Sequence, residues 1–142
     1  MWQKIFSYLT QHKPCLQCLQ LAPVHFQAEV HAVFVFALQD ALTPEEENQL
    51  KLLLQPFFQE KGLSLETQAQ PWRVQLPQAL SLTTTSLEEA AGKNLAEVLP
   101  VGENQGYWRQ LLTEVQMLLH AQPFNRLRQA RGKATINGIW LW

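Results

Sequence analysis

The chain has 142 residues, of which 46% are apolar, including five Trp and seven Phe, enough for one compact domain with a proper core. Its formal charge is −1, so no global field draws it toward nucleic acid or an anionic membrane, and any anion site must be local. Apolar runs such as residues 33–38 fall far short of the roughly 20 residues that a membrane span needs, and residues 1–6 lack the apolar stretch and cleavage site of a secretion signal; a soluble, cytoplasmic protein is expected.

Along the chain, Trp2, Ile5, Phe6 and Leu9 recur at helical spacing and predict a helix over residues 2–11 that Pro14 ends. Residues 19–26 and 32–38, rich in Val and Phe, predict two adjacent strands with a hairpin near Glu29. Thr43-Pro44-Glu45-Glu46 is a helix start, with Thr as N-cap, Pro at the first helical position and Glu three residues after the cap. That helix should place Leu50, Leu53, Leu54, Phe57 and Phe58 on one stripe, kink at Pro56 and end at Gly62.

Leu63, Leu65 and Thr67, then Trp72, Val74 and Leu76, alternate with polar residues and predict two more strands, bounded by Gly62 and Pro71 and followed by a turn at Pro77. Residues 83–89 carry two overlapping capping-box registers and begin a short helix closed near Gly92, followed by a loop with Pro100 and Gly102. Trp108, Leu111, Leu112, Val115, Leu118 and Leu119 mark a core helix over residues 105–121, stopped by Pro123. Asn125 is then placed to cap a last short helix carrying Arg126, Arg128 and Arg131, closed by Gly132, before a strand over residues 136–142.

These elements predict a single layered α/β or α+β domain over residues 1–142, with a sheet of about five strands and three to four packed helices. Residues 1–17 are the part least tied to it. A chain seldom stops inside an apolar strand such as Ile139-Trp140-Leu141-Trp142, so this strand is either central or belongs to a longer parent. At a sheet edge, Trp140 and Trp142 would be exposed and favour weak homodimerisation.

Asp40 is the single aspartate. Two-metal hydrolases and phosphotransferases hold their ions with several carboxylates and histidines, and one Asp with four scattered His does not supply such a set. Glu45, Glu46, Glu47, Glu88 and Glu89 fall in first helical turns, where dipole and capping account for them. No Walker loop or Gly-x-Gly-x-x-Gly occurs, so no nucleotide cofactor is expected. No serine has the framing of a hydrolase elbow. Cys15 and Cys18 form a Cys-x-x-Cys pair flanked by His12 and His25, readable as zinc or redox chemistry or, more simply, as two reduced thiols packed as small apolar groups. The best local site is residues 120–128, where a helix end, a turn and a helix start meet. Amides and guanidinium groups there would suit phosphate or carboxylate; the alternative is a capped helix with solvated arginines and a helix-end His120.

The stretch from Glu114 to His120, with Pro123, Asn125, Arg128, Gly132 and residues 136–142 (Ile-Asn-Gly-Ile-Trp-Leu-Trp), resembles the signature of the bacterial RpfE regulatory proteins, which are often labelled cofactor-independent phosphoglycerate mutases. Ala22-Pro23-Val24-His25 is similar to that family's Asp-Pro-Val-His strand, Trp72-Arg73 to its Arg-aromatic strand, and Leu99-Pro100-x-Gly102 with Trp108 to its loop and helix. The likeness spans roughly residues 18–142. More distantly, this region resembles the domain that accompanies the metal-bearing core in archaeal-type phosphoglycerate mutases of the alkaline phosphatase superfamily. Gln122 stands where the motif has His, Phe124 where it has Val, and Ala22 where it has Asp. The resemblance implies a mutase-side regulatory domain, without the two metals of phosphoryl transfer, in which Arg73, His120, Asn125, Arg128 and Asn137 shape a pocket for a phosphorylated small molecule; the alternatives are an active cofactor-independent mutase and a truncated remnant or protein-interaction module.

Overall fold

A computed structural model describes residues 15–142. The helix expected over residues 2–11 and His12 lie outside these residues. Six strands and five helices follow one another: β1 (Cys15–Ala28), β2 (Val33–Ala37), α1 (Pro44–Glu60), β3 (Ser64–Glu66), β4 (Trp72–Thr83), α2 (Leu87–Ala90), α3 (Leu95–Val98), β5 (Val101–Gly102), α4 (Gln105–His120), α5 (Pro123–Ala130) and β6 (Gly138–Leu141). Every strand pairing is antiparallel, so of the two fold classes the α+β form is the one adopted.

The 14-residue β1 is the hub of the sheet. It pairs with β2 through a short hairpin and with β4, which in turn pairs with β3. Leu21 faces both Trp72 and Leu141, and Val24 faces both Ala37 and Gly138. A residue has only two edges, so β6 occupies one side of β1 while β4 and β2 share the other, end to end. Among the described residues β6 pairs with β1 alone and so forms an edge of the sheet, yet its side chains are covered: Trp140 is 1% exposed and Trp142 half-buried. The strand is at an edge, but the exposed indoles on which dimerisation was expected are not found there.

The period-2 geometry of the sheet divides the core between two faces. Leu19, Leu21, Val74, Ile139 and Leu141 join Leu50, Leu54 and Phe58 of α1 and Leu111, Val115 and Leu119 of α4. Val24, Phe26, Val35 and Trp140 join Ala90 of α2 and Val98 of α3. A three-layer domain results, with the long helices over one face and the short ones over the other.

Local chemistry explains most boundaries. The Thr43 hydroxyl accepts from the Glu46 amide at 3.1 Å and Glu46 Oε1 accepts from the Thr43 amide at 3.0 Å, completing the capping box of α1. Gly62, at φ +74°, takes the left-handed position after the helix. Pro56 is accommodated inside α1, which continues to Glu60. Of the two capping registers in residues 83–89, Ser86 caps α2, its hydroxyl accepting from the Glu89 amide.

Pro77 does not make the expected turn. β4 continues through it, and four residues of β4, 76–79, oppose the single Gln17 of β1. Proline cannot donate to the ladder, and the strand answers with a bulge. Asn125 does not cap the last helix either: α5 begins two residues earlier, with Pro123 at its first position and Gln122 as N-cap. The loop around Pro100 holds the short α3 and the two-residue β5, which extends β4 through Leu82–Gly102 and Thr83–Val101 pairs.

Candidate functional site

Two of the stretches that carry the sequence resemblance, residues 22–25 and 136–142, meet in space. Pro23 pairs with Ile139 and Val24 with Gly138 across β1 and β6. Beyond Gly138 the ladder is continued by a side chain: Asn137 Oδ1 accepts from the Phe26 amide at 2.7 Å, and its Nδ2 donates to the Phe26 carbonyl at 2.9 Å. One carboxamide thus replaces a peptide unit. The close approach also explains Gly138, since a methyl at that position would fall within the Phe26 ring.

Asn125 lies inside α5, 6% exposed. Its Nδ2 donates to the carbonyls of Leu119 and Ile136, and its Oδ1 accepts from the Ile136 amide at 2.7 Å. These bonds lock the end of α4, the body of α5 and the approach to β6, and they use three of the four hydrogen-bonding positions of the side chain.

Arg128 is not a solvated arginine: it borders a recess with His25, Asp40 and Lys133, but its guanidinium is engaged within the fold. It is 4% exposed, donates from Nε to the Ala134 carbonyl at 2.7 Å, and pairs through NH1 with Glu46 Oε2 at 2.7 Å. Burial by itself would raise the Glu46 pKa, but the Thr43 amide, the Arg128 guanidinium and the Thr43 hydroxyl together hold it below the ordinary 4.5. The guanidinium is already neutralised, which removes it as an anion ligand.

Arg73 is separate again. It lies on β4 opposite Glu66 of β3 and lines a cavity of about 500 Å³ with Gln55, Thr67 and Pro71. A carboxylate, Glu66, stands across from the one cation and also lines this cavity, which contains none of the other four residues.

Three of the five candidates share a cleft of about 450 Å³: His120, Asn125 and Asn137, together with Ala121, Gln122, Arg126, Gln129 and Thr135. The end of α4, one face of α5 and the loop entering β6 form its walls. Asn125 and Asn137 serve the backbone, and Gln122 Nε2 donates to the Leu118 carbonyl at 3.0 Å. Arg126 and His120 are exposed, and Arg126 makes no ion pair or side-chain hydrogen bond among the described residues. No carboxylate lines the cleft. It is a small polar recess with one permanent cation and one imidazole, chemistry that suits a phosphate or carboxylate oxygen. The segment 120–128 singled out from sequence contains Gln122 and Arg126, though neither was named as a site residue, and Gln129 falls outside it; residues 122, 125, 126 and 129 trace one stripe at helical spacing.

The metal reading does not hold. Cys18 and His25 lie on one strand seven residues apart, about 23 Å at 3.3 Å per residue, and an odd separation puts them on opposite faces. Cys18 and His25 therefore do not reach one ion together, and His12 lies outside the described residues. Among the described residues, no group of three or more His, Cys, Asp or Glu side chains is gathered for a metal. Nor is any described helix long and apolar enough to cross a membrane.

No family model, curated protein or solved structure matches the chain.

Proposed function

We propose that this chain is a phosphoglycerate-mutase-like regulatory domain of the RpfE kind, binding a phosphorylated metabolite rather than transferring its phosphoryl group. The observation that carries the reading is the cleft lined by His120, Arg126 and Thr135, which contains a free guanidinium and no carboxylate. The motif pieces that suggested the family also support it, because Pro23-Val24-His25 and residues 136–140 form one structural unit beside that cleft. The absence of transfer chemistry is inferred from the single aspartate, with Glu45, Glu46, Glu47, Glu88 and Glu89 all in or beside helix starts rather than gathered as a two-metal set. Fold alone would not carry this conclusion.

The test is thermal unfolding of the purified chain with 3-phosphoglycerate, with and without manganese. A ligand that binds only the folded state stabilises it by about 2.7 kcal/mol at a hundred times its Kd. A metal-independent rise in Tm that Arg126→Ala abolishes is expected. A cooperatively folded chain with no shift at millimolar ligand removes the binding role and leaves the resemblance as ancestry. Manganese-dependent interconversion of 2- and 3-phosphoglycerate would instead establish an active mutase.

A further inference from the structure

Residues 133–137 carry the chain from α5 into β6 without helix or strand of their own, and contacts from other elements fix them one after another. The Lys133 amide donates to the Arg128 carbonyl, the Ala134 carbonyl accepts from Arg128 Nε, Ile136 is held at both its amide and its carbonyl by Asn125, and Asn137 is clamped to Phe26. Thr135 is held differently. Its carbonyl and hydroxyl oxygens lie 3.0 and 3.1 Å from Nδ1 of His25, which stands on β1 and is half-buried, while His25 Nε2 lies 3.0 Å from Gln27 Oε1. The Thr135 carbonyl and Gln27 Oε1 only accept, so both ring nitrogens face acceptors, and the Thr135 contact requires a proton on Nδ1.

We infer that His25 is a positioning residue for the anion cleft, acting through Thr135 without entering the cleft itself. The inference rests on the anion-binding reading above. His25 lines a different recess, beside Asp40, Arg128 and Lys133. With Asn125 and Asn137 occupied by backbone groups, Thr135 is the cleft side chain on the β6 side with unused capacity. When His25 Nδ1–H is shared between the Thr135 carbonyl and hydroxyl, the hydroxyl acts as acceptor toward His25. Its own proton is then free for a second acceptor, such as a phosphate oxygen. Loss of the imidazole removes both the anchor of the loop and this polarity.

The experiment uses the full chain and inorganic phosphate as probe, following backbone amide resonances of residues 133–137 and 126. His25→Ala is expected to shift the Thr135 and Ile136 amides before any phosphate is added. It should also weaken phosphate binding about fivefold, the scale of one hydrogen bond. His25→Asn, which keeps a donor near the Nδ1 position, should recover most of the affinity. Thr135→Val should lose as much as His25→Ala, and the double variant no more than either. Equal phosphate affinity in the parent and His25→Ala, or failure of His25→Asn to recover it, overturns the assignment. A parent chain that does not respond to phosphate overturns the cleft reading instead. Loop amides that move in His25→Ala would then leave His25 a structural tether alone.

Discussion

The Glu46–Arg128 pair joins the start of α1 to the last helix across 82 residues of sequence, with side-chain exposures of 12% and 5%. Glu46→Ala leaves a guanidinium buried without its counter-charge and also breaks the capping box, while Arg128→Met leaves the carboxylate unpaired and the Ala134 carbonyl without its donor. Removing one partner of a buried pair costs about 3–5 kcal/mol. A domain of this size has about 5–15 kcal/mol of stability in all, so each variant should lose a large share of it. The double variant removes both charges together and should cost clearly less than the two singles summed, with a coupling of about 2 kcal/mol or more. Urea unfolding of the four proteins measures this directly. Single losses below about 1 kcal/mol, or strict additivity, would mean that the pair behaves as a solvated surface bridge and that the assignment of Arg128 to the fold is mistaken. The same pair sets a pH dependence. The Glu46 pKa is lowered on folding, so its contribution is complete above the ordinary carboxyl range and is lost as pH falls through that range and below it. In Glu46→Gln this part of the acid sensitivity should disappear.

Other expectations follow from single contacts. Gly138→Ala should cost about 1–3 kcal/mol because the Phe26 ring must give way, and much less in a Phe26→Leu background; denaturant midpoints of the two pairs check it. Asn125→Asp sets a carboxylate against the carbonyls of Leu119 and Ile136 and should destabilise at least as much as Asn125→Ala, by about 3 kcal/mol or more in chemical unfolding. Ser86→Ala should cost about 1 kcal/mol by thermal unfolding. Thr85→Ala should be near neutral, since Thr85 contributes its carbonyl, to the Trp140 indole, rather than its hydroxyl.

What the sequence determined by itself was short-range. The capping box at Thr43 closes over three residues, the stripe of α4 repeats every three or four, and the strands announce themselves by alternation, so their signals lie within one or two turns of chain. The bulge at Pro77 escaped because a proline that breaks a ladder and a proline that makes a turn look the same until the partner strand is known. The candidate site was legible only as a region. Residue type drew attention to His120, Asn125, Arg128 and Asn137, but type cannot say whether a polar side chain faces a ligand or a backbone group. That depended on partners 11 residues away for Asn125, 82 for Arg128, 110 for His25 and 111 for Asn137. Buried donors and acceptors must be satisfied by whatever the fold brings beside them. Tertiary structure therefore decided that Asn125, Arg128 and Asn137 serve the backbone or a buried charge, while Arg126 and His120 stay open to the cleft.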